Sequence, residues 1–208
     1  MKLSIGDAGD ALRDGKVVGV PTQTVYGLAA DAMNARAIGR VFSIKNRPLN
    51  HPCPVLVSST GALDACVMGR PTKGVYALMD AFWPGGLTIV MRARPALPEG
   101  VISGGTVALR QDGDEVLAEL FVRSGIKLLT GTSANISGND PLLAGSDVSN
   151  TFDSYQHYAG HVGVRIEEGS VPSTIVDMST DVPHILREGA VERSSVDDVL
   201  ASCGLRLS

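Results

Sequence analysis

The 208 residues contain neither G-x-x-x-x-G-K-[ST] nor G-x-G-x-x-G, so both common glycine-rich cradles for nucleotide phosphates are missing. There is no H-E-x-x-H and no cluster of carboxylates, which removes the usual basis for a metallopeptidase or a glycosidase. Gly131-Thr132-Ser133-Ala134-Asn135 resembles a nucleophile elbow only up to its last position, where Asn135 replaces the second glycine. Cys53, Cys66 and Cys203 are odd in number and widely spaced, so neither a disulfide framework nor a zinc site is indicated. His51, His157, His161 and His184 show no spacing that marks a general base. Met1 to Gly15 lacks an apolar stretch of signal-peptide length, and no later segment could span a bilayer. A cytoplasmic protein without membrane contact is the expectation.

An excess of basic charge is also missing. Lys and Arg number 18 against 22 Asp and Glu, a net charge of −4, whereas a protein whose main task is holding nucleic acid usually carries a basic field. A small-molecule substrate fits better, although a local basic cleft stays open because total charge does not report where charges lie. Hydrophobic residues make up 44% and charged residues 19%, an ordinary globular composition. With no repeat, low-complexity tract or long linker, residues 1–208 are read as one domain able to bury its own core.

Patterning predicts alternating helices and strands. Lys16 to Val20 reads as a buried strand closed by Pro21 and feeding a loop over Thr22 to Gly27. From Asn34 as N-cap, Ile38, Val41 and Phe42 form an apolar helix face that Lys45 continues and Pro48 ends. Val55 to Val57, Leu87 to Met91, Thr106 to Arg110 and Lys127 to Thr130 read as strands, and Lys73 to Phe82 and Asp114 to Arg123 as helices. Trp83-Pro84 reads as core packing and a helix stop, and Gly125 as a helix terminator. Later strands are predicted over Val162 to Ile166, Thr174 to Val176 and His184 to Leu186, then a final helix capped by Ser195 with Asp197 and Asp198 in its first turn. The fold class is α/β: an open, twisted, mixed β-sheet flanked by helices.

Cationic and hydroxyl side chains collect where these elements end: Lys45 and Arg47, Arg110, Thr132 with Ser133 and Asn135, and Arg187. Ends of strands are where open α/β sheets bind ligands, and this mixture suits an anion with several oxygens. Taken singly, each has a plainer reading. Lys45 and Arg47 could be a solvated helix end, Arg110 could emerge at the surface, and residues 132–138 could be only a turn.

Read together, the segments resemble the YrdC/Sua5 family over roughly residues 10 to 190. They are Pro21-Thr22-Gln23-Thr24-Val25-Tyr26-Gly27-Leu28, Lys45-Asn46-Arg47-Pro48, Trp83-Pro84-Gly85-Gly86-Leu87-Thr88 and Val107-Ala108-Leu109-Arg110. Thr132-Ser133-Ala134-Asn135-Ile136-Ser137-Gly138, Ser173-Thr174-Ile175-Val176-Asp177 and Ile185-Leu186-Arg187 complete the set in the family's order. The resemblance implies a concave ligand-binding face and synthesis of threonylcarbamoyl-adenylate from ATP, L-threonine and bicarbonate. Lys45 and Arg47 would be catalytic. ATP would be held by these two with His51, Thr106, Ser133, Asn135 and Arg187, and threonine by Thr24, Arg110 and Ser173. Mg²⁺ would accompany ATP, with no protein ligand assigned to it. A separate transferase complex would pass the product to adenosine 37 of tRNA, this chain binding tRNA weakly or not at all.

The chain departs from the family pattern at Gln23, usually acidic, at Gly86, often Pro, and at Gln111-Asp112-Gly113, usually beginning Val-Pro. Glu188 replaces a common Pro, and Leu56 stands where some members place a threonine-binding His. Two other readings remain: an enzyme making carbamoyl-adenylate from another donor, and a non-catalytic RNA-binding or ribosome-maturation module. Longer chains are usual for the first, and the acidic total opposes the second.

Overall fold

The computed structural model describes residues 1–48, 50–163 and 170–208. Among the described residues, helices α1 (Ile5–Arg13), α2 (Ala35–Lys45), α3 (Lys73–Phe82), α4 (Glu115–Ser124), α5 (Gly145–Phe152) and α6 (Arg193–Ser202) accompany eleven strands. The strands are β1 (Val17–Val20), β2 (Gly27–Ala29), β3 (Val55–Val57), β4 (Leu87–Arg92), β5 (Ile102–Ser103), β6 (Thr106–Arg110), β7 (Leu128–Thr130), β8 (Thr132–Ser133), β9 (Tyr158–His161), β10 (Thr174–Asp177) and β11 (His184–Arg187). They form two mixed sheets rather than one. The smaller has the order β8-β2-β1-β9, and the larger β11-β10-β4-β6-β3-β7 with β5 beside β6.

Within the larger sheet β10 runs parallel to β4 and β3 parallel to β6, while β4 is antiparallel to β6. Because side chains alternate across a strand, each of these strands divides its residues between two faces. Leu87, Ile89 and Met91, Val107 and Leu109, Val55 and Val57, and Val176 enter the main apolar core. Burial of each large apolar side chain contributes about 1.5–3 kcal/mol, so this face fixes the register, and the intervening residues are placed together on the other face. A second apolar cluster packs α1 (Ala8, Ala11, Leu12) and α4 (Leu117, Leu120, Phe121) against Val18 and Val20 of β1.

The predicted caps hold at two helices. Asn34 accepts from the backbone N–H groups of Arg36 (3.1 Å) and Ala37 (3.2 Å), and Gly125 ends α4 in the left-handed region at φ 70°. The last helix differs from expectation. Ser195 is already helical, Glu192 is the N-cap without a side-chain bond, and Asp197 and Asp198 therefore fall beyond the first turn. The predicted strand Val162 to Ile166 gives way to β9 at Tyr158–His161, and residues 164–166 lie outside the described residues.

Candidate active site

One open cavity of about 400 Å³ lies on the free face of the larger sheet. Its floor is the set of residues that alternate with the core: Thr88 and Val90 of β4, Thr106, Ala108 and Arg110 of β6, Leu56 of β3, and Ile175 and Asp177 of β10. Walls come from Thr22 to Gly27, from Gly131 to Ser133, and from Ser173 and Arg187. The arginines Arg47, Arg110 and Arg187 line it, and Asp177 is the one carboxylate among its described lining residues.

Arg110 sits where β6 leaves the sheet and is only 5% exposed. Its Nε donates to Gly85 O at 2.7 Å, Nη1 to Thr24 Oγ1 at 2.6 Å, and Nη2 pairs with the buried carboxylate of Asp112. Burial pulls the guanidinium below the ordinary arginine range, and Asp112 counters it. Burial likewise pushes the Asp112 carboxyl up, while Arg110 and the amides of Asp114 and Gln23 pull it back. Thr24 Oγ1 lies 3.0 Å from Thr22 Oγ1, which donates to Val25 O at 2.7 Å, so the hydroxyls of this loop form a chain leading to Arg110.

Arg187, on β11, donates through Nε and Nη2 to Ser173 O at 3.0 and 2.8 Å and through Nη2 to Ser173 Oγ at 3.1 Å. Ser173 Oγ is in turn 2.8 Å from Thr88 Oγ1. Arg47 reaches the opposite rim and donates to His51 O at 2.6 Å and Pro52 O at 2.8 Å.

Lys45 and Arg47 diverge because Asn46 between them adopts the left-handed conformation (φ 49°, ψ 45°), which Asn tolerates better than most residues. Arg47 turns into the cavity. Lys45 turns behind its wall and is 1% exposed, with no carboxylate partner among the described residues. Its ammonium donates to Asn135 O at 2.7 Å, to Asn135 Oδ1 at 2.9 Å and to Ser133 O. Burial, with a smaller push from Arg47, lowers its pKa to about 8. Ser133 Oγ donates to Asn135 Oδ1 at 2.6 Å, so the lysine and the Ser133–Asn135 loop form one unit.

Of the residues singled out in the sequence, Thr24, Arg47, Thr106, Arg110, Thr132, Ser133, Ser173 and Arg187 line the cavity. Lys45 and Asn135 stand behind its wall. His51 is exposed off the lining and contributes its carbonyl to Arg47. Asp112, Thr88 and the carbonyl of Gly85 were not singled out as site groups. The position of Asp112 two residues after Arg110 was the available signal, but burial alone makes the pair matter.

The Sua5/YciO/YrdC family model, described as telomere recombination, matches residues 10–189. The chain belongs to the Sua5/YciO/YrdC family. A Bacillus subtilis member of that family, threonylcarbamoyl-AMP synthase, is 32% identical over 198 residues, covering 94% of this chain and 56% of the relative. A Mycobacterium leprae relative is 36% identical over 202 residues, covering 94% of this chain and 87% of the relative. Among solved structures, Pyrococcus abyssi Sua5 complexed with L-threonine superposes with a TM-score of 0.89 at 28% identity, covering all of this chain and 61% of that one. The chain thus spans little more than half the length of the Bacillus and Pyrococcus members of the Sua5/YciO/YrdC family. No helix among the described residues is long and apolar enough to cross a membrane.

Proposed function

We propose that the cavity makes L-threonylcarbamoyladenylate from ATP, L-threonine and bicarbonate, releasing pyrophosphate. The observation that carries this reading is the convergence of Arg47, Arg110 and Arg187 with the hydroxyls of Thr24, Thr106, Ser133 and Ser173 around one cavity. It is supported by the name of the Bacillus relative and by the threonine bound to the Pyrococcus one. The threonine nitrogen adds to bicarbonate with loss of water, giving a carbamate. A carbamate oxygen then attacks the α-phosphorus of ATP, and the bond to the bridging oxygen breaks as pyrophosphate departs. Such chemistry asks the protein for alignment and charge stabilisation rather than a nucleophile.

In this reading Arg110, Thr24 and Ser173 take the amino acid at the buried end, where the guanidinium charge and the spare N–H of Nη1 suit a carboxylate. Arg47, Arg187, Thr106 and Ser133 take the nucleotide, with His51 at the rim. Lys45 and Asn135 act from behind the wall by holding the Ser133 loop. Magnesium enters as the ATP complex. No group of three or more His, Cys, Asp or Glu suited to a metal occurs among the described residues.

Transfer to adenosine 37 of tRNA belongs to a separate complex in this account. The acidic net charge supports weak tRNA binding here, and tight binding at physiological salt without adenylate formation would favour an RNA-binding module instead. Mass spectrometry of the nucleotide formed from ATP, bicarbonate and a panel of amino acids tests the reading. It expects the threonylcarbamoyl adduct of AMP as the main product. Its absence under conditions where ATP binds would refute the assignment, and a carbamoyl-adenylate from another donor would support the related enzyme.

A further inference from the structure

Arg110 is held from three directions at the buried end of the cavity, and Asp112 supplies the only charge among those contacts. The carboxylate side chain is 0% exposed, so it cannot reach a ligand directly. It makes further bonds from the same place: Oδ1 accepts the backbone N–H of Gln23 at 3.1 Å and that of Asp114 at 3.0 Å. Gln23 closes the link in return, its Oε1 accepting the N–H of Gly113 at 3.0 Å. A Cβ at Gly113 would fall 2.7 Å from that amide, so the two loops meet here at close range. On the other side Gly85 N donates to Gln111 O at 2.9 Å while Gly85 O accepts from Arg110. Residues 22–24, 85 and 110–114 are thereby clasped around one guanidinium.

The clasp leaves one donor over. Of the five N–H groups of a guanidinium, Nε is taken by Gly85 O, Nη2 faces Asp112 with no exposed surface, and Nη1 keeps one N–H beside its bond to Thr24. Its direction depends on the plane of the guanidinium, which Asp112 holds through Nη2. We propose that Asp112 is a positioning residue: it orients Arg110 so that the remaining N–H of Nη1 meets the carboxylate of the amino-acid substrate. This rests on the reading of the cavity as a threonine site. It assigns a function to a residue that touches neither substrate.

The test is Asp112→Asn, which keeps an oxygen for the amides of Gln23 and Asp114 and loses the acceptor facing Arg110. The threonine KM should rise about tenfold or more, as for loss of a charge-assisted bond, with the ATP KM within about twofold and kcat little changed. Arg110→Lys should raise the threonine KM by itself, and adding Asp112→Asn to it should raise it no further, because Asp112 acts through the guanidinium. A rise in both KM values alike, or full multiplication of the two effects, would overturn positioning in favour of general support of the fold. Melting curves accompany each variant. If Asp112→Asn does not fold, Gln23→Ala, at an exposed side chain, should raise the threonine KM about threefold by freeing Gly113, and no rise would overturn the proposal. Calorimetry separates the two levels. Wild-type protein that takes up an ATP analogue but no threonine would end the threonine reading and the proposal with it. Threonine binding of equal strength to wild type and Asp112→Asn would end the proposal alone.

Discussion

Lys45 carries a positive charge at 1% exposure with carbonyl and amide oxygens as its partners, and its stability effect should depend on pH in a direction that can be stated beforehand. The folded state lowers its pKa from 10.5 to about 8, chiefly by burial. Between these values the unfolded chain binds the proton more firmly than the folded one, so stability must rise with pH across that window. The desolvation cost is fully present below pH 8 and is relieved as the lysine deprotonates. Going from pH 7 to pH 10, these two values give a gain of up to about 2.5 kcal/mol. The hydrogen bonds to Ser133 and Asn135 favour the ammonium and reduce the gain, so about 1–2.5 kcal/mol is the working range. Lys45→Met keeps the apolar stem and removes the titration. Urea unfolding at pH 7, 8, 9 and 10, with the slope on denaturant checked for constancy, should show the wild type gaining that amount relative to the variant. Groups common to both proteins cancel in the difference. Parallel curves within about 0.5 kcal/mol would refute a buried, desolvated ammonium at this position.

Arg47→Lys should keep its melting temperature within a few degrees and lose about a hundredfold in kcat/KM for ATP, since an ammonium cannot reproduce the planar fork; unimpaired turnover would return Arg47 to the solvated surface. Gly131→Ala would bring a Cβ to 2.6 Å from Leu56 Cγ, pushing that side chain into the cavity. The threonine KM should rise, and Leu56→Ala on the same chain should recover part of the loss by making room, as steady-state kinetics of the single and double variants would show.

Element positions were legible where periodicity was strong. Lys73 to Phe82, Val55 to Val57 and Thr106 to Arg110 occupy their predicted bounds. Helix α1 was not: Ile5–Arg13 holds two glycines and two aspartates, and its stability comes from Ala8, Ala11 and Leu12 packing with α4, a tertiary effect. Strands β2 and β8 are three and two residues long and exist through pairing with each other and β1, so the Thr22–Gly27 and Gly131–Gly138 stretches read as loops only. The apolar continuation of α2 through Lys45 was visible in its spacing. The opposite directions of Lys45 and Arg47 were not, because they depend on the left-handed Asn46. Arg110 was a candidate by residue type, whereas its clasp by Asp112 needed three loops brought together in space.

Pyrophosphate release is the measurement closest to the central claim. With ATP and Mg²⁺ present, release should require both L-threonine and bicarbonate, because without either there is no carbamate to attack the α-phosphorus. Omission of one should reduce the rate to the background of ATP alone. Equal release with threonine or bicarbonate left out would contradict the account.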